Sequence, residues 1–315
     1  MTYSTGGSIQ ATDYNTFATL TGGINEVFGD MHSGATTIGA FADFGYGQTS
    51  TLTSVSAGNA IQASEWDALF TAMKNCGTHQ GTTVVPPLPS SNPNVGDAIT
   101  AFNSPTAFST IITNLRNNRK NVAVGQSTLI VGSNFTQPIA VQPWVNTLTF
   151  AYQVDFGSWD NARYFFNAGG YLGLNGSYSP STTPDDAVWV SMLTAMSPLV
   201  FNWTSTTPNS GTGGTAIGFY QLTTTYQTIY NHTYGVAGSY SNNSIQVQAK
   251  YDTTAGTNGK VDFTITLTDL DPTARPNKAG TTVYHIDTSK ASGAITYPGT
   301  VSIASVGANS GFSKT

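Results

Sequence analysis

Side chains able to hold or move a proton are few in this sequence. Glu26 and Glu65 are its only glutamates, and Asp185-Asp186 is its one adjacent pair of carboxylates. Glycoside hydrolysis needs two carboxyl groups about 5–9 Å apart across a sugar. Neighbours on a strand point to opposite faces, and Pro184-Asp185-Asp186 reads as a turn, so the pair is set aside as a catalytic site. His32, His79, His232 and His285 stand far apart, with no His-x-x-x-His spacing to put two ligands on one helix face, so zinc is not indicated. No Gly-x-Ser-x-Gly elbow positions a serine nucleophile. Cys76 is the sole cysteine, which excludes an intrachain disulfide and a cysteine-based zinc site. Its place near a helix C-terminus, where the dipole raises a thiol pKa, reads as a buried inert thiol.

Nucleotide motifs fail their own context tests. Gly256-Thr257-Asn258-Gly259-Lys260 lacks the phosphate-loop spacing and Val261 replaces the hydroxyl that would hold magnesium, so it reads as a hairpin turn. Gly211-Thr212-Gly213-Gly214 opens no helix and reads as a flexible loop. Tyr226, Tyr230, Tyr234 and Tyr240 lie in a Thr-rich stretch; they read as strand and core residues, with stacking on sugars as the functional alternative. No catalytic, cofactor-binding or metal-binding residue is assigned, and an enzyme is not expected.

The elements that must carry these residues belong to an unusually neutral chain. Asp, Glu, Lys and Arg make up 9% of its 315 residues, where about 25% is usual. A net charge of −5 with eleven Lys and Arg argues against phosphate-backbone binding, so nucleic acid is not an expected partner. Aromatic residues at 11% argue for a folded core over disorder. No run approaches the roughly 18 apolar residues of a membrane span, and the start Met1-Thr2-Tyr3-Ser4-Thr5-Gly6-Gly7 carries no secretory pattern, so a soluble product without membrane insertion is expected.

Ile9-Gln10-Ala11-Thr12-Asp13-Tyr14-Asn15-Thr16-Phe17 returns as Ile61-Gln62-Ala63-Ser64-Glu65-Trp66-Asp67-Ala68-Leu69. Each copy reads as a helix start, with Thr12 or Ser64 as N-cap and an acidic residue in the first turn. The apolar stripe of the first copy runs Phe17, Leu20, Ile24, Phe28 to Gly29; that of the second runs Trp66, Leu69, Phe70, Met73 to Gly77. A weaker third echo, Ile99-Thr100-Ala101, leads through Ser104-Pro105 to Phe108, Ile111, Ile112 and Leu115. The cations after it, Arg116, Arg119 and Lys120, read as a solvated helix end that complements the dipole. The proline-rich segment Val84–Pro93 reads as an extended connector or strap.

After about residue 125 the apolar period becomes two. Thr128–Val131, Leu148–Tyr152, Ile245–Ala249 and Val261–Thr268 read as strands, and Val261, Phe263, Ile265 and Leu267 face a core while Asp262, Thr264, Thr266 and Thr268 face water. One helical turn interrupts them, capped by Ser158, running Trp159–Phe166 and stopped by Gly169-Gly170. The expected fold is α+β: a small helical, repeat-containing docking region at 1–125, then an antiparallel β-sandwich or jelly-roll-like domain at 126–315.

The two repeat copies, Gly45-Tyr46-Gly47-Gln48, and Trp159-Asp160-Asn161-Ala162-Arg163-Tyr164-Phe165-Phe166-Asn167-Ala168-Gly169-Gly170 resemble virion structural proteins of tailed bacteriophages, particularly those of cyanobacterial and other aquatic hosts. The resemblance touches about residues 3–80 and 148–175. It implies a non-enzymatic component of the tail, fibre or baseplate, located in the virion after assembly in the host cytoplasm. The partners implied are other copies of the chain, as a trimer in the case of a fibre, and other virion proteins. It brings no catalytic residue and no cofactor. The alternatives are a carbohydrate-binding or depolymerising spike module that meets a host-surface glycan, and a head decoration or collar protein.

Overall fold

The computed structural model describes residues 10–19, 22–29, 45–84, 106–136, 147–179, 184–236, 238, 240–252, 258–270 and 281–306. Met1–Gly7, His32, the proline segment beyond Val84, the echo Ile99–Pro105, Gly256-Thr257 and the Gly-rich tail after Val306 lie outside the described residues. The chain is α+β and divides into two compact units. One comprises Met1–Thr128, Arg163–Gly170 and Lys290–Pro298; the other comprises Leu129–Ala162, Tyr171–Ser289 and Gly299–Thr315.

The first unit contains helices α1 (Ala11–Ala18), α2 (Asn25–Phe28), α3 (Ala63–Gln80) and α4 (Thr106–Asn117). Their apolar stripes meet in one core that includes Tyr14, Phe17, Trp66, Phe70, Met73, Phe108 and Leu115. Phe108 stacks parallel to Phe70 at 5.8 Å and leans on Phe17 at 5.1 Å, so the third stripe closes over the first two.

Four helix boundaries differ from the sequence expectation. The N-caps are Gln10 and Gln62, two residues before Thr12 and Ser64. The first stripe is not one helix: α1 stops at Ala18 and α2 is a single turn, because Gly22-Gly23 costs a helix interior more than the stripe returns. In the second copy α3 runs through Gly77 to Gln80, and Gly81, at φ +68°, is the stop. That left-handed conformation suits glycine and lets the Thr82 N–H fold back on the Gly77 carbonyl at 3.0 Å.

Two antiparallel sheets make up most of the second unit, with Ser127–Thr128 and Lys290–Ala291 at their ends counted in the first. The strands are β1 (Ser127–Ile130), β2 (Phe135–Thr136), β3 (Thr147–Asp155), β4 (Tyr171–Ser179), β5 (Leu199–Phe201), β6 (Thr206–Thr207), β7 (Gln227–Thr233), β8 (Ser244–Tyr251), β9 (Lys260–Thr268), β10 (Thr281–Ala291) and β11 (Ser302–Ser305). A six-stranded sheet runs β1-β10-β4-β5-β6, with β2 also on β10; a five-stranded sheet runs β11-β3-β9-β8-β7. Phe150 of β3 meets Tyr284 of β10 at 4.8 Å, and Phe263 of β9 meets Phe201 of β5 at 5.3 Å, so side chains of the two sheets interlock as in a sandwich. Strand β9 alternates as its sequence does, with Val261, Phe263, Ile265 and Leu267 buried and Asp262, Thr264, Thr266 and Thr268 partly exposed.

Helix α5 (Trp159–Asn167) starts where expected, with the Asn161 N–H donated to Ser158 Oγ at 3.1 Å. Helix α6 (Pro184–Met196) is new and corrects the reading of Pro184-Asp185-Asp186 as a turn. It buries Val188, Trp189, Met192, Leu193 and Met196 and exposes Ala187, Ser191 and Thr194, an uncharged face with little of the polar contrast that makes a helix legible. Gly211–Gly214 is not a free loop: Gly214 bridges to Tyr230 and the Asn231 N–H donates to the Gly213 carbonyl at 3.0 Å.

Candidate functional site

The repeat places its acidic residues at helix starts for a structural purpose. The Gln10 N–H donates to Asp13 Oδ2 at 3.2 Å, and the Gln62 N–H donates to Glu65 Oε2 at 2.6 Å. Each carboxylate thus serves the N-cap backbone of its own helix. The copies also dock on each other: Tyr14 and Trp66, at matching positions, meet edge to face at 5.5 Å, and the Tyr14 hydroxyl donates to the Glu65 carbonyl at 3.2 Å. Asn15 accepts the Val55 N–H and donates to the Val55 carbonyl. Glu26, the other glutamate, is buried; it accepts the Gly22 N–H at 2.7 Å and pairs with Arg116 at 3.1 Å. Arg119 donates to the Arg116 carbonyl at 2.6 Å. Arg116 in the last turn of α4 and Arg119 after it are therefore tied into the unit, which corrects the reading of a solvated helix end for those two.

Cys76, His79 and Tyr46 form a second cluster in that unit. Burial pushes the Cys76 thiol pKa up, so the thiol stays protonated. The helix dipole is not the cause, since α3 continues past Cys76. His79 is fully buried, donates from Nε2 to the Ala168 carbonyl at 3.1 Å and meets the Tyr46 ring at 5.3 Å. Desolvation holds its pKa below the ordinary 6.5, against the carbonyl, which raises it. Tyr46 donates to the Arg119 carbonyl and accepts from Gln80 Nε2 at 2.7 Å; burial holds its phenol pKa well above 10. The cluster offers a neutral imidazole and a protonated thiol and presents no anion, while His79 and Tyr46 tie their segments to the Ala168 and Arg119 carbonyls. A surface depression of this unit, bounded by Thr49–Leu52, has Asp67 as its one titratable side chain.

In the second unit, Asp185 and Asp186 lie in the first turn of α6, where successive side chains diverge by about 100°. Asp186 is buried and accepts the Tyr178 hydroxyl at 2.7 Å. Of the four tyrosines, Tyr230 is wholly buried and Tyr234 and Tyr240 are half-buried. Only Tyr226 is exposed, with Lys250 Nζ 4.9 Å from its ring centre. The four do not form one stacking surface.

The sequence reading missed a cluster around Asp287. Its Oδ1 accepts the Gly132 N–H at 2.9 Å and lies 3.4 Å from His285 Nε2, while Oδ2 accepts Asn175 Nδ2 at 3.0 Å. The available signal was His285-x-Asp287, a strand spacing that puts both on one face. Gly132 is also pressed on β10, where an added Cβ would stand 2.1 Å from the Ile286 carbonyl oxygen. These contacts pin the chain just after β1, an edge strand of its sheet among the described residues. There Leu129, Ile130 and Val131 are 54%, 44% and 68% exposed, so two faces of one strand are open at once. β1 ends at Ile130, one residue short of the strand end expected at Val131.

No family model, curated protein or solved structure matches this chain. Among the described residues, no three His, Cys, Asp or Glu side chains are grouped to hold a metal ion, and no helix is long and apolar enough to cross a membrane.

Proposed function

We propose that this chain is a non-enzymatic structural component of a tailed-bacteriophage virion, associated with the tail, fibre or baseplate and acting by self-assembly and docking. The observation that carries the assembly part is the exposed apolar run Leu129-Ile130-Val131 on a sheet edge, within a stretch from Asn121 to Val154 that has no Asp, Glu, Lys or Arg. A second such stretch runs from Ala187 to Ala249. Surfaces of this kind lose little hydration when covered, and charged residues are depleted at interface cores. The virion part is supported by the resemblance of the repeat and of Trp159–Gly170. Residues of those segments, including Tyr14, Asn15, Trp66 and Trp159, spend their side chains on packing, as a scaffold requires.

The test is twofold: light scattering on the purified chain at micromolar concentration, and immunogold labelling of intact particles. The expected result is a stable oligomer and a labelled tail structure. A stable monomer that labels no particle would falsify the proposal. The carbohydrate-binding reading rests on exposed Tyr226 with Lys250 over its ring. It calls for glycan-array binding that Tyr226→Ala abolishes; Tyr230→Ala is uninformative because it opens the core.

A further inference from the structure

We propose that β1 is a homotypic pairing edge: Leu129, Ile130 and Val131 of one copy lie antiparallel against the same residues of a second copy, joining two six-stranded sheets across a twofold axis. This rests on the assembly reading above and names its partner. In the sheet order β1 is terminal, so its outer backbone groups face no further strand among the described residues. Folded proteins guard such edges with lysine, proline, a covering loop or an inward charge. From Ser127 to Thr136 the sequence holds no proline and no charged residue. The exposures of Leu129, Ile130 and Val131 show that neither face of the strand is covered.

Charge selects the second copy as the occupant. Each chain carries −5, so repulsion between two copies is least where the facing segments carry no formal charge. Between Lys120 and Asp155 the sequence holds none, and the carboxylate nearest this edge, Asp287 of β10, is turned to the Gly132 N–H, Asn175 and His285. A strongly basic or acidic partner would find no complement there. Self-pairing also matches like to like across the twofold: aliphatic side chains oppose aliphatic side chains in cross-strand pairs, and the contact closes on itself without growing into a fibre. The edge is held ready, because Asp287 grips the Gly132 N–H and Gly132 is seated on the Ile286 carbonyl. Little ordering remains to be done on pairing.

The full-length chain is to be studied by sedimentation velocity over a range of micromolar concentrations, beside Leu129→Lys, Ile130→Lys and Val131→Lys. The proposal expects a wild-type dimer, and variants of unchanged melting temperature whose dimer is weakened by about tenfold or more through like-charge opposition. Cysteine replacements give a second reading that does not depend on the lysines. Cys76 is buried, so Leu129→Cys, Ile130→Cys or Val131→Cys adds an accessible thiol. Under mild oxidation, the variant nearest the twofold is expected to give a disulfide-linked dimer. An oligomer indifferent to the lysines and uncross-linked by the cysteines overturns β1 pairing while leaving the assembly reading intact. A wild-type chain that stays monomeric throughout overturns both.

Discussion

Tyr152 and Tyr284 show how much this molecule stakes on buried aromatic rings. Both are fully buried between the sheets, and neither hydroxyl has a hydrogen-bond partner among the described residues. The rings fill space, but each hydroxyl has given up water for nothing. Tyr152→Phe and Tyr284→Phe are therefore expected to stabilise the fold by up to about 1 kcal/mol each, read as a higher thermal midpoint; a lower midpoint in both would refute this account. His79 carries a pH signature. Burial depresses its folded-state pKa below 6.5, so below that pH the unfolded chain binds the extra proton. Its contribution is complete above 6.5 and is lost as pH falls toward the depressed value. Urea titrations between about pH 7 and 5 are expected to show that loss, and His79→Gln is expected to flatten it.

At the scale of elements, two short contacts decide where segments begin and where they can go. The N-cap backbone of α3 depends on the Glu65 carboxylate. Glu65→Ala removes that acceptor and a favourable charge at the helix N-terminus, and is expected to cost about 0.5–1 kcal/mol in chemical denaturation. Gly132→Ala is the sheet counterpart. Its Cβ would run into the Ile286 carbonyl, which is backbone and cannot rotate away. A loss of about 1–3 kcal/mol is expected from the forced shift. Hydrogen exchange is the sharper check, since amides of Leu129–Val131 should lose protection before those of β9.

For the whole molecule, the same buried phenols set an alkaline limit. Burial pushes the Tyr14 and Tyr230 pKa values up to about 12, with Glu65 adding to the rise at Tyr14, and holds those of Tyr46, Tyr152, Tyr251 and Tyr284 well above 10. The folded state keeps protons that the unfolded chain releases above pH 10. Stability is whole below that pH and declines as pH rises through the folded values. Urea midpoints are expected to hold up to about pH 10 and to fall steadily above it; a flat profile would place these phenols in contact with water.

Period and punctuation alone determined the α+β class, the helices at the repeat to within two residues of their starts, the cap at Ser158 and the in-out alternation of β9, because each is set by residues a few positions apart. The tertiary structure decided what rests on partners distant in sequence. Helix α6 shows solvent the uncharged face of Ala187, Ser191 and Thr194, so its sequence lacked the polar contrast that would have announced it. Asp287 gained its role only when β10 met Gly132 and Asn175, and Tyr230 lost a surface role when the two sheets closed over it. The exposure of Leu129, Ile130 and Val131 was equally hidden: apolar residues in a row read as core from sequence, and only their place at a sheet edge leaves them open.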